Sequence, residues 1–139
     1  MSLQWREQLG VGNDLIDNDH KHLIAIINQA EDTLQTKNMS SLKIVLNSLA
    51  DYSKFHFARE ELVAAAAGFP QVTQLHESHE ALMKKLNEVS QELETELSEV
   101  PAQHLVQFLR DWLINHVIKE DLMMKPFLAR FSPKFDPRK

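Results

Sequence analysis

Residues 42–63 read LKIVLNSLADYSKFHFAREELV. Leu42, Val45, Leu46, Leu49, Tyr52, His56, Glu60 and Val63 recur at spacings of three and four, the pattern of one face of an α-helix. The stripe is apolar until its last turns, where an imidazole and then a carboxylate take the next two places. Both side chains therefore point where the leucines point, into a core. An unpaired carboxylate there costs several kcal/mol or takes up a proton. A cation removes that cost; the bland alternative is a buried His–Glu hydrogen bond.

The flanking sequence repeats the helical pattern. A first helix is predicted from about Asn18 to Lys37, capped by Asp17 or Asn18, with stripe Leu23, Ile26, Ile27, Ala30 and Leu34. The quoted stretch lies in a second, from about Ser41 to Ala67, capped by Ser40 or Ser41. Gly68 ends it and Pro70 forbids continuation. A third starts between Pro70 and Thr73 and runs to about Leu97, with stripe Leu75, His79, Leu82, Met83, Leu86, Val89 and Leu93. Pro101 opens a fourth, through about Ala129, with stripe Leu105, Phe108, Leu109, Trp112, Leu113 and His116. Only three glycines occur, and alternating apolar runs with turn pairs are missing, so strands have little support. Four long helices joined by short loops predict an all-α, up-down-up-down four-helix bundle. The expected organisation is a single domain over 1–139. Residues 1–16 form an ordered N-terminal arm held by Trp5, Leu9, Val11, Leu15 and Ile16, and 132–139 form a loose C-terminal tail.

Composition narrows the function. The chain has 139 residues, a formal net charge of −5 and a pI near 5.8. Its only basic cluster is Pro137-Arg138-Lys139, so nucleic acid is not expected as a partner. There is no cysteine, which removes disulfides, iron–sulfur clusters and thiolate zinc sites, and fits a reducing cytoplasm. The N-terminus shows no signal-peptide pattern, and no apolar run is long enough to span a membrane.

The polar residues then fall into a constellation. His20 lies near the start of helix one, and His56 with Glu60 near the end of helix two. His76 and His79 lie near the start of helix three, and His116 with Asp121 toward the end of helix four. In an alternating bundle those four places meet at one end. Imidazoles plus carboxylates without thiolate suit iron, zinc, copper or manganese. Seven ligands are too many for one ion and fit two six-coordinate ions that share bridges. The five-residue step from His116 to Asp121 turns about 140° around an ideal helix and so does not by itself put both on one centre. His22 and His104 read as surface residues, Glu92, Glu94, Glu96 and Glu99 as an exposed acidic face, and Met123-Met124 as packing. Phosphate loops, His-Glu-x-x-His runs, Glu-x-x-His pairs and nucleophile elbows are all missing.

Over nearly its whole length the chain resembles the hemerythrin family in its bacterial single-domain form. The likeness is carried by Trp5, by VGNDLIDNDHKHLIAIIN around His20, by HFAREEL followed by GFP, and by FLRDWLINHVIKED. The resemblance implies two iron ions with an oxo or hydroxo bridge that bind oxygen reversibly, for carriage, storage, delivery or sensing. By position, His20 and His56 would hold the iron that receives oxygen, Glu60 and Asp121 would bridge, and His79 and His116 would hold the second iron. The ligand would be molecular oxygen or another small diatomic or anionic molecule, with an electron-donor or oxygen-accepting protein as possible partner. Leu23, Ile24, Ile27, Trp112 and Leu113 are candidates for the apolar pocket. The other classes to weigh are a di-iron enzyme reducing peroxide or nitric oxide, and an iron-binding sensory module. The chain departs from the family pattern at one place. The family carries a histidine four residues before the His79 position, where this chain has Leu75. Three outcomes stay open: His76 reaches the iron after a local change in winding, an exogenous ligand fills the place, or the second iron binds weakly.

Overall fold

The computed structural model describes residues 3–95 and 99–138, and among them it is all helical, without strands. Helix α1 spans Asp14–Gln35, α2 Met39–Ala66, α3 Val72–Thr95 and α4 Glu99–Asp111. Helix α1 packs on α2, α2 on α3, α3 on α4 and α4 back on α1, which closes a four-helix bundle. The short connections make neighbours antiparallel.

The caps differ from those expected. Asn13, four residues earlier than predicted, accepts from the Ile16 N–H at 3.2 Å and starts α1. Asp17 instead reaches back to the Val11 N–H at 2.9 Å. Asn38, not a serine, caps α2 through the Ser41 N–H at 3.1 Å. Gly68 turns the chain out of α2 with φ 81°, a left-handed conformation that a side chain disfavours.

The fourth rod is not one continuous α-helix. After Asp111 it widens into a π-helix over Trp112–Ile118. It then returns to α in α5, Lys119–Asp121, tightens to a 3₁₀ turn over Leu122–Met124, and ends in α6, Lys125–Leu128. π-Turns insert a residue into the helical register, and they concentrate at functional sites.

The described residues near both ends are held by contacts. The Asn28 side chain grips Leu3 through both backbone groups, at 2.8 and 2.9 Å, and Trp5 and Leu9 pack on the core. Residues 132–138 do not hang loose. The Pro133 carbonyl accepts the Asp14 N–H at 2.7 Å, the Phe135 carbonyl accepts the Asn13 side-chain amide at 3.0 Å, and Phe131 stacks on Phe135. Asn13 thus caps α1 and anchors the tail. Of the expected acidic face, Glu92 is exposed; Glu96 and the side chains of Glu94 and Glu99 lie outside what is described, as does Lys139 of the basic tail. His22 and His104 are exposed, as expected. Met124 is buried, but Met123 is 54% exposed.

The core comes in two apolar clusters. The larger contains Leu23, Phe57, Leu82 and Ile118; the smaller contains Ile16, Val63, Ala64, Leu75 and Met124. Between them runs one polar layer. His20 sits between Ile16 and Leu23, Glu60 between Phe57 and Val63, His79 between Leu75 and Leu82, and Asp121 between Ile118 and Met124. The fold holds these four side chains at one height with a dry layer on each side.

Candidate metal centre

Five of the seven expected ligands share that layer: His20 from α1, His56 and Glu60 from α2, His79 from α3 and Asp121 from α5. His20, His56, Glu60 and Asp121 each offer a ligand atom within 4.8 Å of one another. All four are inaccessible to solvent, and His79 is 3% exposed. Glu60 is the hub. Its Oε2 lies 2.9 Å from His56 Nε2 and 3.6 Å from His20 Nε2, while its Oε1 lies 3.0 Å from His79 Nε2. Asp121 Oδ2 stands 2.7 Å from His20 Nε2.

These distances are short, yet most of the contacts are not hydrogen bonds. Among the described residues, His56 Nε2, His79 Nε2, both Glu60 oxygens and Asp121 Oδ1 are buried without a hydrogen-bond partner. The His56–Glu60 and His79–Glu60 pairs are close in distance but misaligned for N–H···O bonds, and a hydrogen bond needs the angle as well as the distance. Each orphaned buried atom costs about 1–3 kcal/mol. Lone pairs that converge at this spacing without bonding one another fit a shared cation, and His/Glu/Asp is a donor set that iron accepts.

The protonation pattern fits the same reading. Burial pushes the Glu60 carboxyl up, but contact with the Asp121 carboxyl, the His56 charge and the contacts from His20 and His56 outweigh it and hold Glu60 well below its usual range. Burial, then the charge of Glu60, pushes Asp121 well above its own. The protein thus packs two carboxylates closely enough to drive their proton affinities apart, and a metal ion held there would relieve that repulsion.

Two histidines are outside. The His116 side chain is 49% exposed, with Nε2 3.3 Å from Asp111 Oδ2. His116 stands on the flank of the rod while Asp121 faces inward. The His76 side chain is 53% exposed and lies against Glu61 and Glu80. The local change in winding that would bring His76 inward is not found, since α3 runs unbroken over it. Leu75 is buried in the smaller apolar cluster, so hydrocarbon fills that position.

The groups that orient the candidate ligands were not among the residues expected from the sequence. Asp19 Oδ2 faces His56 Nδ1 at 2.9 Å. Arg59 grips both oxygens of Asp19, at 3.0 and 2.7 Å, and the Tyr52 hydroxyl donates to it at 2.7 Å. Burial pushes Asp19 up, but the hydrogen bonds from His56 and Tyr52 and the charges of His56 and Arg59 leave it below its usual value. Glu61 Oε2 faces His79 Nδ1 at 2.9 Å, and the Phe57 ring stacks on His79 with centroids 4.0 Å apart. Such partners fix the tautomer and aim of a metal-binding imidazole. The sequence carries one signal for them: each carboxylate is the chain neighbour of a candidate ligand, Asp19 of His20 and Glu61 of Glu60. A neighbour points about 100° away on the helix, toward the next rod.

Residues 11–128 match the family described as Hemerythrin HHE cation binding domain. The chain belongs to the hemerythrin family. It is 32% identical over 120 residues to a bacteriohemerythrin of Pseudomonas aeruginosa (strain LESB58), covering 86% of this chain and 76% of that one. It is 29% identical over 122 residues to a bacteriohemerythrin of Methylococcus capsulatus, covering 88% and 92%. A hemerythrin-like protein of Naegleria gruberi is 28% identical over 124 residues, covering 89% and 92%. The four-helix bundle and its buried His/Glu/Asp cluster fit a hemerythrin that holds a metal. Among the described residues, no helix is long and apolar enough to cross a membrane.

Proposed function

We propose that this hemerythrin is a non-haem di-iron protein that binds molecular oxygen reversibly, for carriage, storage, delivery or sensing. The observation that carries the proposal is the split of Glu60: one oxygen turns toward His20 and His56, the other toward His79, and neither is hydrogen-bonded. A carboxylate so placed suits two ions, one on each side. His20 and His56 would serve one, His79 the other, and Glu60 and Asp121 would lie between them. Ferrous iron held there would supply the electrons on which dioxygen binding draws.

The protein's own work is to orient donors and exclude water. Leu23, Ile24, Ile27, Trp112 and Leu113 belong to one buried apolar cluster next to the polar layer. The Trp112 indole N–H is spent on the Leu82 carbonyl at 3.1 Å, so this large ring turns no free donor toward the site. A dry wall of this kind slows proton-assisted loss of the bound ligand, the route by which reversible binding turns into oxidation. The test is an absorption spectrum of anaerobically iron-loaded protein before air, after air, and after oxygen is removed. A change on aeration that reverses on deoxygenation supports the proposal. Irreversible oxidation, or turnover of peroxide with a reductant, would make the protein an enzyme or a passive iron binder instead.

A further inference from the structure

His76 stands one residue off the register in which a side chain of α3 would face the metal, and the structure leaves it at the surface. Its contacts nevertheless lead inward. Its Nε2 lies 2.6 Å from Glu80 Oε1 and its Nδ1 lies 2.6 Å from Glu61 Oε1. The other oxygen of Glu61 faces His79 Nδ1 at 2.9 Å, and His79 Nε2 faces Glu60 at 3.0 Å. Side chains in unbroken contact therefore run from the exposed Glu80 to the buried Glu60. Glu80, His76, Glu61 and His79 border an open cavity of about 530 Å³ whose lining also includes Phe57, Met83 and Lys84.

Glu61 is the weak point of that chain. Its side chain is 21% exposed and borders the cavity, so water competes for its oxygens. Phe57 stacking fixes the plane of the His79 ring, but not which nitrogen carries the proton. A second partner on Glu61 decides whether its carboxylate stays on His79. His56 shows the same arrangement in buried form, where its carboxylate, Asp19, is held from behind by the Arg59 cation. Behind Glu61 the corresponding group is His76, whose Nδ1 pairs with Glu61 at 2.6 Å and whose Nε2 lies 2.6 Å from Glu80. We propose that His76 is a positioning residue that holds Glu61 on Nδ1 of His79, so that His79 keeps Nε2 free and aimed at the metal. The inference rests on the reading of His79 as a ligand. The competing view is an exposed ion pair that contributes nothing measurable.

The test measures iron release from anaerobically loaded full-length protein to excess ferrous chelator. His76→Ala is expected to load the same amount of iron as the wild type but to release it about tenfold faster, the scale on which such supporting contacts act. His76→Asn, whose amide nitrogen can stand near the place of Nδ1, is expected to restore most of the lost retention. The metal-free melting temperature of both variants should match the wild type. Release of iron from His76→Ala at the wild-type rate would overturn the proposal. So would loss of bound iron equal to that of His79→Ala, which would make His76 a ligand. An equal fall in the melting temperature of the metal-free protein would assign it a purely structural role. A wild-type chain that takes up no iron would instead defeat the proposed function itself.

Discussion

Tyr52 is the single tyrosine of the chain, and it reports directly on the group that orients His56. Its hydroxyl donates to Asp19, and burial together with that carboxylate raises its pKa to about 12. The sign follows from the negative charge: removing the phenolic proton would place phenolate against carboxylate. The folded chain keeps a proton that the unfolded chain loses near pH 10, so this contribution to stability is complete below about pH 10 and fades as pH rises toward 12. Phenolate absorbance of the folded protein is expected to titrate near 12, and Asp19→Asn to shift the midpoint back toward 10. A wild-type midpoint near 10, in protein still helical by circular dichroism, would mean that the Tyr52–Asp19 bond does not form. The same Asp19 shows what could be read from the chain and what could not. His20, His56, Glu60 and His79 were legible because they interrupt or extend apolar stripes, and periodicity sees such positions. Asp19 and Glu61 were not, because they serve histidines on other helices, and single-helix periodicity carries no information about that pairing.

Among the elements, the four rods are plain in the sequence and their ends are not. Asparagines take the caps expected of Asp17 or Asn18 and of Ser40 or Ser41, since any short polar side chain satisfies the exposed amides. The fourth rod conceals more. The stripe from Leu105 to Leu113 predicts one α-helix, and nothing in its period announces the π-turn over Trp112–Ile118 or the outward place of His116. At the far end of the bundle, α1 and α4 are joined by Arg110, whose guanidinium donates to both oxygens of Glu31 at 2.6 and 2.8 Å. Glu31 is 8% exposed and Arg110 29%, so the pair lies between the surface and buried regimes. Arg110→Ala is expected to cost about 2 kcal/mol in urea unfolding, because it strands a nearly buried carboxylate. A loss below about 0.5 kcal/mol would mean that water already screens the pair.

Over the whole molecule, the bundle carries a polar layer that its own hydrogen bonds do not satisfy, and the donors in that layer come from every rod. Metal held there would close the bundle across all four, which would link binding to stability. The measurement that decides is iron per chain in anaerobically loaded, desalted wild-type protein, with Glu60→Ala beside it. Wild type is expected to retain two iron ions and to melt higher than its metal-free form. Glu60→Ala is expected to lose at least one ion and to melt lower than loaded wild type. Iron that washes away from the wild type, or unchanged iron content in Glu60→Ala, would contradict a metal centre built on Glu60.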